Sequence, residues 1–70
     1  MRIDAKKLGK NIKKLRLKLG LSQEALAFKA DVRLSNLAKL EGGFNSNPTL
    51  ETLASIAGVL TNGSIDALVR

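Results

Sequence analysis

Apolar residues recur along this chain at helical spacing, with no strand-like alternation of useful length. Leu8, Ile12, Leu15 and Leu19 fall four, three and four apart and form one stripe on a helix spanning roughly 4–19. Lys6, Lys7, Lys10, Lys13, Lys14 and Lys18 fill its other faces, and Asp4 suits a cap or first-turn position. Gly9 weakens this helix by about 1 kcal/mol relative to alanine, which points to a close packing contact.

The next signals are compressed into the run Leu19 to Ala27. Gly20 reads as a helix stop, Ser22 as the N-cap of a new helix, and Gln23 as a first-turn residue with its amide free to reach outward. This second helix runs from Ser22 to about Ala30. It turns Leu26 and Ala30 inward, offers small Ala27 for close approach and points Phe28 outward. Asp31 is the turn residue, since aspartate tolerates left-handed backbone, and Val32 re-enters the core. A third helix covers about Arg33 to Glu41, with Leu37 and Leu40 on its inner side and Gly42-Gly43 ending it. After a loop from Phe44 to Pro48, Thr49 caps a fourth helix carrying Leu50, Leu53, Ile56, Ala57 and Leu60. Thr61-Asn62-Gly63 turns the chain, and Ser64 caps a short fifth helix with Ile65, Leu68 and Val69. The expectation is a compact all-α domain of five helices spanning residues 1–70.

Composition narrows the chemistry. Seventy residues bury only about 60% of their unfolded surface, so stability is modest. Phe28 and Phe44 are the only aromatic residues, which leaves the core to Leu, Ile, Val and Ala. Cysteine and histidine are absent, so there are no disulfides and few options for a transition metal, and neither a metal nor a cofactor is expected. A reducing, cytoplasmic setting fits that composition. No apolar run approaches the ~18 residues of a membrane span, and the basic start from Met1 to Lys18 lacks a signal peptide's apolar stretch. Without histidine, cysteine, a phosphate-cradling glycine loop or paired carboxylates with a pocket to hold them, the chain does not read as an enzyme.

The net charge of +6 is unevenly spread. Residues 1–20 hold eight of the twelve basic residues against Asp4 alone, a net +7. Residues 21–40 carry +1 and residues 41–70 carry −2. Such a basic segment is either a solvated face or a surface that meets a polyanion. The tight junction at Gly20 to Ser22, with another short helix about ten residues on, favours a helix-turn-helix that reads DNA.

Five pieces in order strengthen that reading: Arg16, Gly20-Leu21-Ser22-Gln23, Leu26-Ala27, Glu41-Gly42-Gly43 and Pro48-Thr49-Leu50. Over about residues 6–69 the chain resembles the lambdoid phage repressor/Cro family, the XRE-type helix-turn-helix. The resemblance implies a lambda-repressor-like DNA-binding domain whose second helix crosses the DNA backbone while the third enters the major groove. It places Gln23 at the edge of the site, on phosphate or base, and Arg33, Leu34, Ser35 and Lys39 at the base-reading positions. Asn36 is within reach of phosphate, and Ser22 and Asn45 join the DNA-facing set. Arg33 and Lys39 suit guanine, while phosphate alone is the plainer role for Arg33 and shares Ser35 evenly. Lys10 and Lys14, near the start of the DNA-facing surface, supply diffuse electrostatics. Arg16 and Glu41 are implied to form a structural ion pair.

The chain departs from the family at the reading half. Asp31 stands where the turn usually has glycine, and Arg33 replaces the usual Ser or Thr cap. The third helix therefore either uses Asp31 as its cap or starts a residue late. Leu34 can touch a thymine methyl but makes no bidentate contact. The loop Phe44-Asn45-Ser46-Asn47 is neutral, which reduces phosphate contacts and flattens the salt dependence. The implied function is a transcriptional regulator, foremost a repressor, on a palindromic operator in double-stranded DNA. The implied state is a homodimer, weak without DNA, for which Val59, Leu60, Ile65, Leu68 and Val69 form the candidate patch. The alternative is an antitoxin-type module that binds a toxin and represses its own promoter. Phe28, Phe44 and the neutral loop favour it, if the two rings face a partner rather than pack locally.

Overall fold

The computed structural model describes residues 3–45 and 47–70; Met1, Arg2 and Ser46, which belong to the basic start and the neutral loop, lie outside the described residues. Five helices follow one another: α1 (Ala5–Lys18), α2 (Gln23–Ala30), α3 (Leu34–Glu41), α4 (Leu50–Leu60) and α5 (Ile65–Val69). Four begin on a side-chain cap. Asp4 accepts from the N–H groups of Lys6 and Lys7, Ser22 from Ala25, Thr49 from Thr52 and Ser64 from Ala67. Each bond satisfies a donor that the first helical turn leaves unpaired. α3 is the exception. Arg33 holds the cap position in extended backbone and its side chain makes no capping bond.

The first three helices end in the same way. Leu21 N donates to Arg16 O and Gly20 N to Leu17 O. Val32 N donates to Ala27 O and Asp31 N to Phe28 O. Phe44 N donates to Lys39 O and Gly43 N to Leu40 O, all at 3.0–3.2 Å. This paired closure needs one left-handed residue, supplied by Gly20 (φ 71°), Asp31 (φ 55°) and Gly43 (φ 78°). Asp31 therefore terminates α2 rather than capping α3, and α3 starts a residue late, at Leu34.

Leu8, Ile12, Leu26, Leu37, Leu40, Ile56 and Leu68 are essentially inaccessible and make one core with Ala27, Ala30, Leu53 and Ala57. α1 packs against α3, α4 and α5, α2 against α3 and α4, and α4 against α5. Phe28 is exposed, as its register required, and Val32 packs on the core edge. Three expectations are corrected. Leu19 is 53% exposed because the helix has ended at Lys18, and the inner row runs Leu8, Ile12, Arg16 instead. Leu50 is 71% exposed, since Leu53, Ile56, Ala57 and Leu60 set the inner face of α4 and Leu50 falls at its edge. Leu68 is wholly buried, closing the monomer core, so it leaves the candidate dimer patch; Val59, Leu60, Ile65 and Val69 remain half-buried.

Gly9 marks the closest approach of two backbones. A Cβ there would stand 2.8 Å from the Glu41 carbonyl oxygen and nearer still to that of Leu40. Just beside it, Arg16 spans three elements. Its Nε donates to Glu41 Oε2 at 2.7 Å and its Nη2 to Oε1 at 2.9 Å, while Nη1 donates to the Leu21 carbonyl at 2.7 Å. The two side chains are 8% and 3% exposed. Hydrogen bonding to Glu41 raises the Arg16 pKa above its ordinary value, against the opposing effect of burial and with a further Coulombic contribution from Glu41. A raised folded-state pKa means this contribution is fully present below the ordinary arginine value and is lost only as pH rises through the still higher folded one.

Three outcomes follow for stability, each read from urea or thermal unfolding. Arg16→Ala and Glu41→Ala each cost about 3–5 kcal/mol, because each strands a buried charge. Replacing the pair together with apolar residues of similar volume recovers most of that loss, and single variants with unchanged midpoints would sink the assignment. Gly9→Ala destabilises by about 1–3 kcal/mol through overpacking, although alanine favours an isolated helix by about 1 kcal/mol. Asp31→Gly stabilises by up to about 1 kcal/mol by relieving a left-handed Cβ, raising Tm a few degrees; a lowered Tm contradicts the strain argument.

Candidate nucleic-acid interface

α2 and α3 are joined by Asp31–Arg33, the tight elbow that the left-handed Asp31 makes possible. α3 buries Leu37, Leu40 and the Glu41 side chain on one side. At about 3.6 residues per turn, the opposite side is centred on Ser35 and Lys39, one turn apart, with Asn36 and Ala38 flanking them. All four are exposed, as is Arg33 at the helix entry; Leu34 is 43% exposed on the near edge. Among the described residues, the side chains of Arg33, Ser35, Asn36 and Lys39 make no hydrogen bond within the chain. The fold thus leaves their donors available. The uncapped first turn of α3 adds backbone N–H groups at the same end, where the helix dipole favours an anion.

The remaining candidate residues are partly committed. Gln23 is half-buried and its Nε2 donates to Glu41 Oε1 at 3.1 Å, so its amide is not free as its first-turn position suggested. The same carboxylate that holds Arg16 fixes it, leaving the second Nε2 hydrogen and the carbonyl oxygen for a ligand. Ser22 spends its hydroxyl oxygen on the α2 cap at 3.0 Å. Asn45 Oδ1 accepts from Asn47 N at 3.0 Å, stiffening the loop and leaving the amide NH2 as its donor. Phe44 is 85% exposed, yet its ring edge lies against Gly42, which is the local packing reading of this residue.

The lysines of α1 divide between two grooves. Lys6 and Lys10 line a groove with Glu41, Gly42 and Gly43, at the C-terminal end of α3. Lys14 instead lines a separate groove with Lys18 and Ala67 of α5. Lys10 and Lys14 thus border different grooves, although, four residues apart on α1, they are neighbours on its exposed side. Sequence reasoning passed over Ala38, since alanine fits any helical position; its placement between Ser35 and Lys39 became visible only with the orientation of α3. It also passed over the Leu21 carbonyl and the Gln23–Glu41 bond, which depend on how the Gly20 turn folds back. Among the described residues no group of acids is placed to hold a metal ion, and no helix is long and apolar enough to cross a membrane.

A family model described as helix-turn-helix matches residues 12–68. The N-terminal DNA-binding domain of SinR from Bacillus subtilis is 33% identical, over 90% of this chain and 90% of that one, with a TM-score of 0.84. SinR in complex with DNA superposes with a TM-score of 0.83, and in a SinR–SinI complex the chain spans 60% of the matched chain. The restriction-modification controller protein C.AhdI from Aeromonas hydrophila is 32% identical over 93% of this chain and 96% of that one, at a TM-score of 0.84. Hydroxypropylphosphonic acid epoxidase from S. wedmorenis also contains this fold, at 27% identity and a TM-score of 0.83; the likeness covers all of this chain and 36% of the enzyme. No curated protein sequence matches the chain. A family model spanning four-fifths of the residues, together with these relatives, establishes that the chain belongs to the XRE-type helix-turn-helix family of DNA-binding regulators.

Proposed function

We propose that this chain is a sequence-specific DNA-binding transcriptional regulator that acts as a repressor by occupying an operator. α3 enters the major groove, and α2 lies across the backbone with Gln23 at the edge of the site. The observation that carries this reading is the outward face of α3. Ser35 and Lys39 stand at its centre with uncommitted donors, while the Arg16–Glu41 pair anchors the helix from behind. Lys39 and Arg33 suit the O6 and N7 acceptors of guanine, and Leu34 and Ala38 suit a thymine methyl. Asn36, the amide of Asn45 and the end of α2 near Ser22 contact phosphate. The solved complex of SinR with DNA supports a nucleic-acid partner.

The unit is a homodimer on a palindromic operator, with half-sites about one helical turn apart. Val59, Leu60, Ile65 and Val69 supply the half-buried apolar patch for it. With so small a patch, dimerisation is weak until DNA aligns the two copies. The chain acts as one DNA-binding domain over residues 1–70, in the cytoplasm, where it meets its operator, and not as an enzyme. A second reading, a module that binds a toxin and represses its own promoter, is favoured by Phe28, which is 88% exposed and unsupported by the core. The SinR–SinI complex is a protein–protein assembly of a relative and supports partner binding in general.

Selection from randomised duplexes at fixed salt gives the operator, and Lys39→Ala then tests the reading. Its affinity for the selected site falls by about 1–3 kcal/mol, and discrimination relaxes at one base pair. Binding to random DNA changes little, because phosphate contacts carry that affinity. Equal losses on operator and random DNA would place Lys39 on phosphate, and failure to select any site would remove the DNA reading.

A further inference from the structure

The groove between α1 and α5 lies outside the reading face. Asn11, Lys14, Leu15, Lys18 and Ala67 line it, and its volume is about 250 Å3. That is below the roughly 300–1,000 Å3 of sites for small molecules, and fits a side chain or two rather than a cofactor. Its chemistry is specific. Lys14 and Lys18 stand one helical turn apart, exposed, and neither is engaged by an acid of the described chain. Asn11 donates Nδ2 to the Leu68 carbonyl at 2.8 Å, which fixes its amide and leaves its oxygen as an acceptor. Leu15 and Ala67 make an apolar floor beneath them.

We propose that this groove docks an acidic amphipathic helical segment of another protein, with two carboxylates one turn apart over Lys14 and Lys18 and an apolar side chain on Leu15 and Ala67. Charge complementarity argues for the occupant, because residues 1–20 carry +7 and, among the described residues, no acid pairs with Lys14 or Lys18. A second copy of the chain does not match. Its six acids, Asp4, Glu24, Asp31, Glu41, Glu51 and Asp66, are nowhere closer than seven residues in sequence. No helical turn of it therefore presents two carboxylates, Glu41 is held by Arg16 and Asp66 is paired with Arg70 at 2.8 Å. DNA would satisfy the lysines but not the apolar lining, and this groove shares no residue with the one at the end of α3. The surface is independent of the DNA reading and leaves α3 free while it is filled.

The test uses the whole chain and a capped synthetic helical peptide with two glutamates one turn apart and a leucine between them. A short duplex of random sequence is the comparison probe. Backbone amide NMR is expected to show peptide-induced shifts at Asn11, Leu15 and Ala67 and none at Ser35 or Lys39. Lys14→Glu with Lys18→Glu weakens the peptide about tenfold, as does Ala67→Glu, which keeps both lysines but sets a competing carboxylate beside them in the groove. Lys29→Glu, an exposed lysine on α2, leaves affinity within about twofold, and higher salt weakens binding as expected for exposed pairs. No peptide binding, equal loss with Lys29→Glu, shifts spread over α3, or shifts of the Asn11 and Ala67 amides by the duplex would each overturn it.

Discussion

The structure depends on one bidentate contact between residues twenty-five positions apart. Arg16 on α1 and Glu41 at the end of α3 exchange two charge-assisted hydrogen bonds, and the third guanidinium nitrogen holds the Leu21 carbonyl. That one side chain therefore ties the first helix, the turn that follows it and the far end of α3. The planar fork matters, because a lysine in its place would make a point contact and leave the carboxylate half satisfied. Burial makes the pair costly to break rather than generous in net stability, so its value is positional. α3 offers only eight residues and no side-chain cap, and a helix that short is not stable alone. It is held by Leu37 and Leu40 in the core, by the backbone contact at Gly9 and by the clamp.

The clamp also reaches the interface. Gln23 donates to the same Glu41 oxygen that accepts from Arg16 Nη2, so fold and site share a carboxylate. Its amide is thereby ordered within the fold, so a ligand proposed to meet Gln23 would find it already oriented. The uniform helix endings serve the same purpose. Three paired closures turn the chain sharply after α1, α2 and α3, keeping the connections short and the helix directions set. At Asp31 this requires a left-handed residue with a Cβ. The strain is small for aspartate, and Arg33 enters α3 with its side chain uncommitted because a guanidinium has no acceptor with which to cap the helix.

Much of this was legible in the chain itself. Periodicity marked all five helices, and Asp4, Ser22, Thr49 and Ser64 announced four of their starts. Those signals are local, so they survive without knowledge of the fold. Leu19 and Leu50 misled because a stripe counted by spacing alone does not register where a helix stops or which arc of it is covered. The Arg16–Glu41 pair was legible only through the family's order of motifs, since nothing local connects two charges so far apart. The Gln23 bond and the place of Ala38 were not legible at all. Each depends on how one helix is rotated against another, a property of packing rather than of any segment.

That division explains why the chain carries its charge as it does. The core is built from leucine, isoleucine and alanine, and the clamp takes one base and one acid, leaving ten basic residues of the described chain on the surface. A domain with so small a core gains little stability from surface pairs, and Arg70–Asp66 is the other ion pair among the described residues, exposed at both ends. The surplus of positive charge is therefore not structural, and it raises self-repulsion within the fold. It is distributed over more than one face. Arg33 and Lys39 flank the outward side of α3, Lys6 and Lys10 border its far end, and Lys14 and Lys18 lie toward α5. Lys14 and Lys18 carry charge that neither ion pair of the described residues uses, beside a groove that shares no lining residue with the one at the end of α3.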